Sequence, residues 1–140
     1  MEFNKQLRRS LPCNVAAPFF ARRSLNLLRG TINGEAFALM ALLVTELITN
    51  SVKHSDTKSN IPIELLVMTG DRRLRVEVTD GGTKFVPTEV GDPDIALSGR
   101  GLLLVDRLSE AWGIGYGESN TVWFELECED PPERLPRSYL

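Results

Sequence analysis

Apolar and polar residues alternate along some stretches of this chain and recur at helical spacing along others. Residues 3 to 11 read as an edge strand that stops at Pro12. Asn14 is placed to cap a first helix running to about Leu28, with Pro18 tolerated because the first turn lacks intrahelical acceptors, and Gly30 ends it. Asn33-Gly34 signals a second helix from Glu35 to about His54, free of internal Pro and Gly. On it Phe37, Ala41, Val44, Ile48 and Val52 form one apolar stripe. The opposite arc carries Leu39, Leu42, Leu43 and Leu47, with Glu46, Asn50, Lys53 and His54 among them.

Ile61, Ile63, Leu65 and Val67 alternate with polar or outward positions, as do Leu74, Val76 and Val78, which predicts two strands joined by a turn at Thr69-Gly70-Asp71. Residues 81 to 99 are rich in Gly, Pro and charge without a period, and read as a long functional loop, a candidate lid. A helix follows from Gly101 to Leu108, then a hairpin from Trp112 to Tyr116 and Thr121 to Cys128 that turns at residues 117 to 120. This order predicts an α/β (α+β) two-layer sandwich: one mixed, mostly antiparallel sheet covered on one face by helices. Residues 1–128 are expected to form a single domain and residues 129–140, with Pro131, Pro132 and Pro136, a flexible tail.

Composition narrows the class. The chain has 140 residues, 42% hydrophobic and 25% charged, enough for a packed core without disulfides or a structural metal. A net charge of −3 and scattered Arg pairs disfavour direct nucleic-acid binding. Cys13 and Cys128 lie outside any metal or redox spacing and are expected as free thiols. No apolar stretch reads as a leader or a membrane span, so a cytoplasmic protein without membrane contact is expected.

Three segments carry chemistry. Glu46 and Asn50, one helical turn apart, project the same way and can grip one ligand. A carboxylate among leucines needs a partner, and a metal, a water, a substrate hydroxyl or an ion pair with Lys53 or Arg100 would each serve. Asp80 closes a strand before Gly81-Gly82, so its carboxylate can accept from an exocyclic amine, although Asp-Gly-Gly also describes an ordinary turn. Gly99-Arg100-Gly101 opens a helix, which makes either an anion site or a plain helix start. No P-loop motif occurs.

In this order, Glu46-x-x-x-Asn50, Asp80-x-Gly82, Gly99-x-Gly101 and Thr121 resemble the GHKL (Bergerat-fold) ATPase superfamily, and within it the bacterial anti-sigma-factor serine/threonine kinases. The stretch from Leu43 to His54 is similar to their N-box, and Gly99 to Val105 to their glycine-lid helix. Leu11-Pro12 before an Arg-containing helix matches their entry segment, so the resemblance runs from about residue 10 to residue 127.

The resemblance implies ATP and Mg²⁺ as cofactors. By it, Glu46 is the general base, Asn50 the Mg²⁺ ligand, Asp80 the acceptor of the adenine amino group, and Gly82 part of the first glycine box. Gly99 and Gly101 let the lid close on the phosphates, Arg100 and Lys53 add charge there, and Thr121 supports Asp80. His54 is left to helix-end packing. Lys84 stands where the family has the second glycine of its first box. The implied function is a kinase that phosphorylates an anti-sigma-factor antagonist and sequesters a sigma factor as a homodimer. The alternatives are a non-catalytic binding module of the same fold and, because no phosphoacceptor helix precedes the domain here, less readily a histidine-kinase catalytic domain.

Overall fold

The computed structural model describes residues 3–54, 60–81, 100–116 and 119–128. The elements are β1 (Phe3–Leu11), α1 (Ala17–Leu25) continued by a 3₁₀ turn (Asn26–Leu28), α2 (Gly34–His54), β2 (Ile63–Gly70), β3 (Arg73–Asp80), α3 (Arg100–Leu108), β4 (Ala111–Tyr116) and β5 (Asn120–Glu127). The five strands form one sheet in the order β1-β2-β3-β5-β4, with every neighbouring pair antiparallel. The helices pack on one face of it, α1 touching β1, α2 touching β3 and β5, and α3 touching β4. This is the expected two-layer sandwich.

Alternation in the strands decides which face is which. Ile63, Leu65 and Val67 of β2 and Leu74, Val76 and Val78 of β3 are buried, while the residues between them are only half-covered. Cross-strand pairing sets like against like: Leu65 faces Val78, Val67 faces Val76, Val76 faces Phe124 and Leu74 faces Leu126. One face of the sheet is therefore continuously apolar, each large side chain contributing about 1.5–3 kcal/mol on burial.

The first helix differs from expectation at both ends. The Asn14 side chain accepts from Ala16 N–H at 2.9 Å, closing a turn before the helix, and Ala16 occupies the capping position without a side-chain cap. After Leu25 the spiral tightens to 3₁₀ geometry, where Arg29 N–H donates to Asn26 C=O at 3.1 Å. Gly30 then takes φ +89°, a conformation that suits glycine.

The second helix differs in which arc is buried. Ala36, Phe37, Met40, Leu43, Val44, Leu47, Ile48 and Ser51 are buried, and the anticipated stripe members Ala41 and Val52 are only half-buried. The reason is that α2 touches α1 and α3 as well as the sheet, and so needs a wider apolar arc than a helix with one neighbour. Leu43 and Leu47 join the core, which leaves Glu46 and Asn50 half-buried at its border rather than enclosed by leucines. By length and composition α2 is also apolar enough to cross a membrane, contrary to the sequence-based expectation that no segment is. In the structure its apolar residues pack against the sheet and the neighbouring helices.

The other face of the sheet is polar and interlocked. Arg75 lies over the Trp123 ring, 4.1 Å from its centroid, and pairs with Glu125 at 3.1 Å and Glu77 at 3.8 Å. Trp123 in turn covers Gly113 of β4, where an added Cβ would stand 2.7 Å from the indole. Gly113→Ala is therefore expected to cost about 1–3 kcal/mol, the usual cost of overpacking. A urea titration that finds it neutral would mean the indole can swing aside. Of the segment expected as a lid, residues 81 to 99, all but Gly81 lie outside the described residues, as do residues 129–140, expected as a tail.

Candidate functional site

The site is built on the exposed border of α2 and the end of β3. Polar side chains along α2 fall into two groups. Thr45 donates to Ala41 C=O and Thr49 to Thr45 C=O, each at 2.7 Å, so both are satisfied by the helix itself. Glu46 and Asn50 make no side-chain hydrogen bond or ion pair with another described residue. Half-buried polar groups without protein partners are costly unless water or a ligand completes them. The ion pair between Glu46 and Lys53 considered from sequence is not formed. Lys53 is exposed in the last turn, where its charge complements the helix dipole, and His54 is exposed beside it.

Asp80 closes β3 on the helix-covered face, in step with Val76 and Val78 and opposite Asn120. The Asn120 side-chain amide donates to the Asp80 carboxylate at 3.3 Å, aiming it from across the sheet. Directly after it, Gly81 is packed against Ile61, and an added Cβ would meet that side chain at 2.6 Å. The backbone at Asp80-Gly81 is thus gripped from two sides.

Thr121 sits on the opposite face. Its hydroxyl pairs with that of Thr79 at 2.9 Å, since Thr79 faces Thr121 in the register and Asp80 faces Asn120. Thr121 and Asp80 thus lie on opposite faces of the sheet, and among the described residues the side chain hydrogen-bonded to Asp80 is that of Asn120.

At the third wall, α3 starts at Arg100 and packs against α2 through a face that includes buried Leu102 and Val105. Trp112 of β4 donates to Asp106 at 2.9 Å and fixes the far end of this helix. Arg100 and Gly101 stand at the helix N-terminus, whose free N–H groups suit an anion. Gly82, Lys84 and Gly99 lie outside the described residues.

Among the described residues no group of three or more His, Cys, Asp or Glu side chains gathers to hold a metal. That donor set does not suit a metal held by protein alone. Mg²⁺ asks for less, since it keeps several waters and takes substrate phosphates with one or two protein oxygens, and the Asn50 side chain has no hydrogen-bond partner among the described residues.

Residues 15–126 match the family described as the histidine kinase-like ATPase domain. The serine-protein kinase RsbW of Listeria monocytogenes serotype 4a (strain HCC23) is 32% identical over 108 residues, spanning 67% of this chain and 68% of that protein. RsbW of L. monocytogenes serovar 1/2a is 31% identical over the same length. The crystal structure of the RsbU and RsbW domains of Rv1364c from Mycobacterium tuberculosis matches with a TM-score of 0.68 at 18% identity, covering 91% of this chain and 33% of that longer one. This last likeness is one of fold. Family match and sequence relatives agree, and the chain belongs to the histidine kinase-like ATPase domain family, in the branch that holds the RsbW serine-protein kinases.

Proposed function

We propose that this domain is an Mg-ATP-dependent serine/threonine protein kinase that phosphorylates an anti-sigma-factor antagonist and, when the antagonist is absent, sequesters a sigma factor. The observation that carries this reading is the pair Glu46 and Asn50, half-buried and without described protein partners on a helix that packs against α3. Asp80 stands on the same side of the sheet. In this reading the three residues serve one nucleotide site as base, metal ligand and adenine acceptor.

In this reading Asp80, held by Asn120, accepts from the adenine amino group and selects ATP over GTP. The N-terminal backbone of α3, with Gly99, Arg100 and Gly101, receives phosphate oxygens, and Lys53 adds positive charge. Gly82 gives the backbone of the first glycine box its freedom, and Thr121 stiffens the β3 end through Thr79. Asn50 would hold Mg²⁺ through its amide oxygen, and the metal would offset charge on the ATP phosphates. Glu46 takes the proton from the attacking serine or threonine hydroxyl as its oxygen bonds to the γ-phosphorus and the bond to ADP breaks. Positioning and electrostatics supply the rest of the acceleration. The domain acts as a cytoplasmic homodimer.

Incubation with γ-labelled ATP and candidate antagonist proteins tests this directly: label is expected on a serine or threonine of the antagonist. Label on a histidine would replace the reading with a histidine-kinase catalytic domain. Asn50→Ala is expected to abolish the strengthening of ATP binding by Mg²⁺ while leaving metal-free binding nearly unchanged, as read by calorimetric titration with and without the metal. Equal metal dependence in the variant would remove Asn50 from that role.

One observation favours a second reading. Lys84 replaces a glycine in the box that borders the adenine pocket, and a long side chain there can fill the pocket. A binding module that holds partners without catalysis predicts no ATP binding in the same titration.

A further inference from the structure

Nearly every large apolar side chain of α2 is packed. Phe37, Met40, Leu43, Val44, Leu47 and Ile48 are buried, and Leu39 leans on the core from its border. Leu42 differs: alone among the large apolar residues of α2 it is exposed, at 43%. A single exposed leucine is ordinary on a protein surface. What singles this one out is its place on the helix.

Leu42, Glu46 and Asn50 follow one another at four-residue spacing. At 3.6 residues per turn they fall within an arc of about 80°, each roughly 6 Å along the axis from the next. Thr45 and Thr49, between them in sequence, have their hydroxyls bonded to carbonyls of the helix itself. The arc therefore presents an amide, a carboxylate and an isobutyl group in a row.

The function proposed above gives that row a direction. If the phosphates end at Asn50 and the acceptor hydroxyl meets Glu46, the next turn faces the polypeptide that carries the hydroxyl. An extended chain returns every second side chain to the same face. A residue two positions from the acceptor is thus displaced by about 6.6 Å on the acceptor's own side, which matches the roughly 6 Å between neighbouring turns of α2.

We propose that Leu42 is a substrate-specificity residue, which selects a protein segment carrying an apolar side chain two positions from the serine or threonine to be phosphorylated. The assignment rests on the kinase reading. The nucleotide is the wrong occupant, because Leu42 offers its phosphates neither charge nor a donor. A second copy of this chain seated on Leu42 would crowd the approach to Glu46, one turn away.

The probes are nine-residue peptides with a central serine in an alanine and glycine background, carrying leucine, glutamate or lysine at both positions two residues from it. Each is incubated with the full chain, Mg²⁺ and γ-labelled ATP, and kcat/KM is read from initial rates. The leucine peptide is expected to be used at least about tenfold better than either charged one, the order of gain that covering a leucine side chain gives. Leu42→Lys is expected to favour the glutamate peptide and Leu42→Glu the lysine peptide. Both variants are expected to bind ATP within about twofold of the wild type by calorimetry, as is usual for exposed substitutions away from a ligand. Lysine and glutamate form helices about as readily as leucine, so the fold is not at stake, and a reversed preference is not something lost packing produces.

Equal use of the three peptides by the wild type, or an unaltered order of preference in both variants, would overturn the proposal. Label on an antagonist protein but on none of the peptides would do so too, because a segment read locally needs no folded partner. Weakened ATP binding in both variants would overturn it in favour of a nucleotide contact, and a dimer that Leu42→Lys dissolves in sedimentation would overturn it in favour of self-association. Absence of label from peptides and antagonists alike would instead count against the kinase reading, and against this assignment with it.

Discussion

Glu46→Gln is expected to slow phosphoryl transfer to the antagonist by roughly 10²- to 10⁴-fold, the range usual for loss of a general base, with ATP affinity within about twofold of the wild type. The substitution is nearly isosteric, and Glu46 makes no hydrogen bond or ion pair with another described residue, so the helix loses no described partnership. The packing that holds α2 comes from the buried arc of Leu43, Val44, Leu47 and Ile48, which the substitution does not touch. Single-turnover transfer from labelled ATP reads the rate, and calorimetry reads the affinity. A wild-type rate would remove the base role. A raised KM with unchanged kcat would instead make Glu46 a binding group.

Phe124→Ala is expected to destabilise the domain by about 3–5 kcal/mol, the usual cost of emptying a buried aromatic site. Phe124 is fully buried and stands between Val76 of β3 and Trp112 of β4 in the register, under the helices. Against a typical total of about 5–15 kcal/mol such a loss is severe. Denaturant titration should show a lower midpoint with an unchanged slope. Phe124→Leu, which conserves much of the volume, is expected to cost less than about 1.5 kcal/mol. A cost below about 1 kcal/mol for the alanine variant would mean that the sheet and helices do not meet there as described.

The strands were legible because one face of the sheet is buried, and a one-residue slip would expose every Leu and Val that alternation places inside. Val76 and Val78 advertise their face by sequence alone. The neighbours of a strand do not: the hairpin of β4 and β5 could be read locally, but that β5 rather than β4 lies against β3 is a matter of tertiary packing. For that reason local sequence places Asn120 in the turn, and its bond to Asp80 emerges only from the register. The same register sends Thr121 to the opposite face with Thr79. On α2, periodicity found Phe37, Val44 and Ile48 but could not count the helix's neighbours, so the burial of Leu43 and Leu47 was not foreseen. Glu46 and Asn50 stood out through their spacing and surroundings, and their lack of described partners could emerge only from coordinates.

The hydrogen bond between Asn120 and Asp80 joins residues 40 positions apart. It fastens together the two ends of a long chain excursion that includes residues 82 to 99 and α3. Closing a loop costs entropy only as the logarithm of its length, so even doubling the excursion would cost about 0.6 kcal/mol. Added length in that excursion is thus cheap in closure entropy, whereas α3 and β4 within it stay tied to the core and the sheet by their own packing and pairing.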